Sequence, residues 1–119
     1  FYMSVRVGSG GLVIDTTSVY KRLVESGGEY SVHDIACTIQ YRLGEALGNL
    51  VARYLRGRRG YCSRVVVSGG AAVNDFIIKG LRNVLESEGY SIVLPKNIPV
   101  NDGGLAVGQI VYASRVVEK

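Results

Sequence analysis

Two short stretches hold residue types from which a ligand site could be built. Residues 67–75 read VSGGAAVND and residues 101–109 read NDGGLAVGQ. Each carries a glycine pair beside an Asn-Asp. In the first, Gly69 and Gly70 follow the apolar run RVVVS and precede a helical pattern. Glycine has no Cβ, so an anionic group can approach its backbone closely. A helix N-terminus adds unpaired N–H groups and a partial positive charge, which suit a phosphate. Asn74 brings an amide that donates and accepts. The same residues also make a plain strand-to-helix turn with Asn74 as its cap. Neither G-x-x-x-x-G-K-[ST] nor G-x-G-x-x-G occurs, so neither common nucleotide fingerprint applies.

In the second stretch Asp102 is a hard oxygen donor that could bind a metal, or an N-cap for the helix that follows. Gln40 shares a stripe with Ala36, Leu43 and Leu47, and Gln109 interrupts the stripe of the last helix. A buried amide needs partners; a backbone group in the core is the usual one, and a ligand cleft is the other. His33, the single histidine, sits with Asp34 at a helix start and reads as solvated. Arg56, Arg58 and Arg59 read as a solvated loop. A nucleic-acid patch would interleave aromatics, and only Tyr61 is near, so no nucleic-acid partner is expected.

These residues need a scaffold. The chain has 119 residues, 47% of them hydrophobic and 20% charged, which predicts one ordered domain with a modest core. A net charge of +4 permits an anionic ligand such as a nucleotide. Cys37 and Cys62 lack metal-type spacing and read as reduced, buried thiols. No apolar run reaches membrane length and no signal peptide is visible, so a cytoplasmic protein with no membrane partner is expected. The chain opens on Phe1 rather than Met and is expected to be a piece of a longer protein.

Residues 2–7 and 11–14 read as strands joined by a GSGG hairpin turn. DTTSVYKRLVES reads as a short helix, with Asp15, Thr16 and Thr17 as cap candidates and Gly27-Gly28 as its end. Residues 31–56 form the strongest helix. Ser31 and Asp34 make a capping-box-like start, and Ile35, Ile39, Leu43, Leu47, Leu50, Val51, Tyr54 and Leu55 share one face. RVVVSGG and YSIVL read as strands buried on both faces. A helix from about Asp75 turns Ile77, Leu81, Val84 and Leu85 inward and ends near Gly89. A last helix from near Asp102 carries Leu105, Ile110, Ala113 and Val117 inward. The order β-β-α-α-β-α-β-α implies an α/β fold, with the last two strands parallel and joined by a right-handed crossover.

The paired motifs carry a resemblance. From VVVSGG to GQIVYA the chain resembles the C-terminal part of the HypF family, the carbamoyltransferases of NiFe-hydrogenase maturation. Ser68, Gly69, Gly70, Asn74, Pro99, Asn101, Asp102, Gly103, Gly104, Ala106, Gly108 and Gln109 match the family pattern. DIACTIQ at 34–40 is similar to a helix shared with the tRNA threonylcarbamoyltransferases, and the likeness spans about residues 11–113. It implies a single C-terminal lobe over 1–119 of the actin-like ATPase (ASKHA) superfamily, with an RNase H-like mixed sheet carrying helices on both faces. It implies that Ser68, Gly69, Gly70, Asn74, Gln40 and Gly103 line a nucleotide site for ATP, and that Asp102 binds a divalent metal. The implied reaction forms carbamoyl-adenylate from carbamoyl phosphate and ATP. The carbamoyl group then passes to a cysteine thiol of an acceptor maturation protein.

The family's H-x-x-x-H pair belongs to a preceding lobe. The isolated chain is therefore expected to be inactive, to need that N-terminal lobe as partner, and to self-associate through its open cleft face. The alternatives are a lobe of a tRNA threonylcarbamoyltransferase or an O-carbamoyltransferase, or a non-catalytic interaction module. NDGG followed by GQ argues against the tRNA enzymes.

Overall fold

The computed structural model describes residues 1–58 and 62–117. Strands β1 (Ser4–Gly8) and β2 (Gly11–Asp15) form an antiparallel hairpin with Gly8 opposite Gly11. Gly11 has φ +132°, a conformation L side chains rarely adopt, which is why the turn holds glycine there. Helix α1 (Thr17–Glu25) follows. Of its three cap candidates, Asp15 serves: its carboxylate accepts the Thr17 N–H at 3.0 Å and pairs with Arg6, also at 3.0 Å. Hydrogen bonding from Thr17, helped by Arg6, holds the Asp15 carboxyl below the usual carboxylate range.

Helix α2 (Val32–Leu55) starts as expected, with the Ser31 side chain accepting the Asp34 N–H. Strand β3 (Arg64–Val66), helix α3 (Asp75–Ser87), strand β4 (Ser91–Val93) and helix α4 (Leu105–Val117) complete the chain. The element order matches the sequence reading, and β3 and β4 are parallel, with Val65 opposite Ile92.

The scaffold is α/β, but the strands do not form one mixed sheet. Among the described residues they make two separate two-stranded sheets. Nor is β3 buried on both faces. Val65 and Ile92 pack into the core, whereas Val66 is 70% exposed and Val93 is exposed with it. A two-strand sheet with helices against one side leaves its other side bare.

Helix α2 is the spine. Its Ala52 lies in one cluster with Ala72, Ile78, Leu81, Leu85 and Tyr90, and its Ala46 lies in a second with Met3 and Val19. The large residues expected on its face are only half-buried, and Tyr54 lies outside beneath the Arg58 guanidinium. Small residues take the deepest positions instead, namely Gly44, Ala46, Gly48 and Ala52. The reason is a close helix crossing. A Cβ on Gly44 would sit 2.1 Å from the Ile77 carbonyl oxygen, and one on Gly80 would sit 2.1 Å from that of Tyr41. Helix α3 turns Ile77, Leu81 and Leu85 inward as expected, and Gly89 (φ +85°) follows its end.

Helix α4 departs most from the sequence reading. None of its residues is buried: Leu105 is 64%, Ile110 69% and Val117 85% exposed. The accessible surface of 8489 Å² exceeds the roughly 6,300 Å² expected of a compact monomer of 12.8 kDa. The radius of gyration, 17.6 Å, likewise exceeds the about 13.5 Å expected for this length. Cys37 and Cys62 are free thiols, half-buried rather than buried. Arg59 and Tyr61, part of the expected basic loop, lie outside the described residues, while Arg56 and Arg58 are exposed as read.

Gly44→Ala is expected to destabilise the fold by about 3 kcal/mol or more, because backbone rather than a yielding side chain occupies the space a methyl would need. Gly10→Ala, where nothing lies within 4 Å, is the control and should leave a urea melt nearly unchanged.

Candidate functional site

The two glycine motifs meet. The Gly69 N–H donates to the Val100 carbonyl at 2.5 Å, and the Ser68 hydroxyl donates to the same oxygen at 3.0 Å. Residues 67–70 leave the carboxyl end of β3 and residues 98–104 follow β4, so the parallel pairing brings both loops to one end of the sheet. Gly69 has φ +104°, which favours glycine at that position. Gly104 is close-packed: a Cβ there would stand 2.5 Å from the Pro99 carbonyl.

A cavity of about 560 Å³ opens between the motifs. Ser68 and Gly69 line one side. Pro99, Asn101, Asp102 and Gly104 line the second, and Gly108, Gln109 and Tyr112 of α4 close it. The volume lies within the range of small-molecule sites. Gln109, expected to satisfy a core group, is instead exposed on this wall. Gly103 is exposed, and its N–H is capped by the Asn101 side chain at 3.1 Å. Asn101, not Asp102, is therefore the N-cap. Asp102 is exposed, and no group of three His, Cys, Asp or Glu side chains that could hold a metal occurs among the described residues. The described residues do not fit a complete metal site.

Asn74 and Gln40 sit behind the SGG turn, both half-buried. Asn74 Oδ1 accepts the Phe76 and Ile77 N–H groups at 3.0 and 3.1 Å, capping α3. Its Nδ2 donates to Gln40 Oε1 at 3.0 Å. The Gln40 amide thus finds a side-chain partner at the N-cap of α3, not a core backbone group. Gly70 begins a short 3-10 turn, Gly70–Val73, that runs into this cap. His33 is exposed in the first turn of α2, far in sequence from the cavity residues.

The sequence reading missed Val100, whose backbone oxygen joins the motifs, and Tyr112. A carbonyl acceptor carries no sequence signature. Tyr112 was visible only as an aromatic seven positions beyond Leu105 on the same helix.

A family model described as carbamoyltransferase, Kae1-like domain, second subdomain, matches residues 2–109. The carbamoyltransferase HypF of Rhizobium leguminosarum bv. viciae is 39% identical over 54 residues, covering 45% of this chain and 7% of that protein. The tRNA N6-adenosine threonylcarbamoyltransferase of Anaplasma marginale (strain St. Maries) is 28% identical over 81 residues, covering 66% of this chain and 24% of that protein. The crystal structure of T. kodakarensis HypF superposes with a TM-score of 0.71 at 25% identity, covering 97% of this chain and 15% of that one. The chain thus spans less than a quarter of the length of each of these relatives.

Asn74→Ala removes both the cap and the partner of Gln40. It is expected to cost about 1–2 kcal/mol of stability, measured by urea unfolding.

Proposed function

The chain belongs to the family of carbamoyltransferase Kae1-like domains, as a second subdomain, and from that membership we propose that it forms one wall of a nucleotide site in a HypF-like carbamoyltransferase. The observation that carries this reading is the shared Val100 oxygen, which holds the SGG and NDGG motifs together across one cavity.

Each residue has a role in the proposal. Gly69 brings Cβ-free backbone to the cavity wall, where a phosphate or ribose can approach, while its own N–H is given to Val100. Gly70 and Gly103 adjoin that wall in the chain, and the Gly103 N–H is given to Asn101. Ser68 spends its hydroxyl hydrogen on Val100 and keeps its lone pairs. Asn74 Nδ2 carries two hydrogens, of which one goes to Gln40. The other has no partner among the described residues and is the hydrogen proposed to meet a ligand, from a position behind the cavity lining. Asp102 supplies a single carboxylate to a cation site completed by residues outside this chain. ATP is the nucleotide, carbamoyl phosphate the carbamoyl source, and a cysteine thiol of a maturation protein the acceptor. Carbamoyl-adenylate is the species the site would hold. The preceding lobe forms the opposite wall, and the bare apolar face of α4 supports such a covering.

The match to a tRNA threonylcarbamoyltransferase supports a second reading, in which the site holds threonylcarbamoyl-adenylate. Incubating the full-length protein with each donor separates the two readings, since only the true donor is consumed.

The full-length protein is expected to bind ATP in titration calorimetry, with Asn74→Ala weakening binding on the order of tenfold, the loss of about one good hydrogen bond. Equal affinity in the variant would remove Asn74 from the site. Asp102→Ala is expected to lower the divalent metal content of the same protein by elemental analysis; unchanged occupancy would sink the ligand role.

A further inference from the structure

The family resemblance implies that Gln40 lines the nucleotide site. We propose a different role: Gln40 is a positioning residue, which fixes the Asn74 carboxamide through one hydrogen bond and so holds the SGG turn in shape without touching the nucleotide. The proposal rests on the nucleotide reading above.

Asn74 stands where three elements join. Its N–H donates to Ala71 O at 3.1 Å, closing the Gly70–Val73 turn. Its carbonyl accepts the Ile78 N–H, and its side-chain oxygen accepts two more N–H groups of α3. The carboxamide must therefore present oxygen to the helix and nitrogen to α2. An acceptor on α2 enforces that orientation, and Gln40 Oε1 at 3.0 Å is that acceptor. Without it, a half-buried N–H₂ loses its partner. The carboxamide could then rotate toward solvent, leaving the Phe76 and Ile77 N–H groups uncapped and the turn loose. Gln40 lines none of the cavity that Ser68 and Gly69 line. Its oxygen is already committed to Asn74.

The test uses the full-length protein and two variants. Gln40→Leu keeps the bulk and removes the acceptor, while Gln40→Glu keeps an acceptor oxygen. Amide hydrogen exchange at Phe76 and Ile77 reports the cap, and calorimetry reports ATP affinity. Gln40→Leu is expected to speed exchange at both amides and to weaken ATP on the order of tenfold. Gln40→Glu is expected to restore the protection. Weakened ATP binding with unchanged exchange at Phe76 and Ile77 would mean that Gln40 contacts the nucleotide directly, and would overturn the proposal. So would unchanged ATP affinity alongside faster exchange. A wild-type protein that binds no ATP would overturn the nucleotide reading, while the exchange comparison still decides whether the amide bridge holds the cap.

Discussion

Helices α2 and α3 touch backbone to backbone, and the remaining geometry is set by that contact. Gly44 lies against the Ile77 carbonyl, Gly80 against that of Tyr41, and Gly48 against Val84 and Leu81. The register advances in the same direction along both helices. One turn before Gly44 on α2 stands Gln40, and three residues before Ile77 on α3 stands Asn74. The crossing that seats Gly44 on Ile77 therefore brings Gln40 to 3.0 Å from Asn74. A larger residue at 44 or 80 would separate the helices and stretch the amide bridge as well. Stability and site geometry thus share one constraint. A glycine inside a helix costs roughly 1 kcal/mol relative to alanine, and here the close packing it permits is the compensation.

The sequence made the element order and the long helices legible because their periodicity and caps are local properties. Ser31 and Asp34 define the start of α2 within four residues, and Asn74 does the same for α3. The chemistry of the two glycine motifs was legible for the same reason. What was hidden depends on partners. Glycines 44 and 48, one turn apart in the strongest helix, were the available sign of a close crossing, but the opposing Gly80 lies in another element. RVVVS reads as a strand covered on both faces because its composition is apolar throughout, yet composition does not say what covers it. The bare side of β3 and β4 separates an apolar sequence from a buried position.

Convergence of the motifs follows from topology more than from any one side chain. Parallel strands put the carboxyl ends of β3 and β4 on the same side, which is where ligands bind in open α/β sheets. The single Val100 oxygen then receives both a backbone N–H and a hydroxyl from the first motif. Two donors on one acceptor fix the distance between loops more tightly than either would alone. The third wall, α4, is attached less firmly. It joins the rest of the fold through the short Asp102–Gly104 turn, and Gly108, Gln109 and Tyr112 reach the cavity from a helix with no buried residue.

That weak attachment explains the surplus surface. The accessible area exceeds the expectation for a compact monomer by roughly 2,200 Å², about what a substantial interface buries. Exposed apolar side chains include Leu105, Ile110 and Val117 on α4 and Val66 on the sheet. Apolar side chains this exposed would be poorly retained on a free-standing surface, and apolar burial is the largest favourable term in association. Of these residues Leu105 also lines the cavity. A partner that covered Leu105 would also shield that side of the cavity from water. Apolar burial on α4 and access to the cavity would then be coupled through one helix, because Leu105 belongs to both.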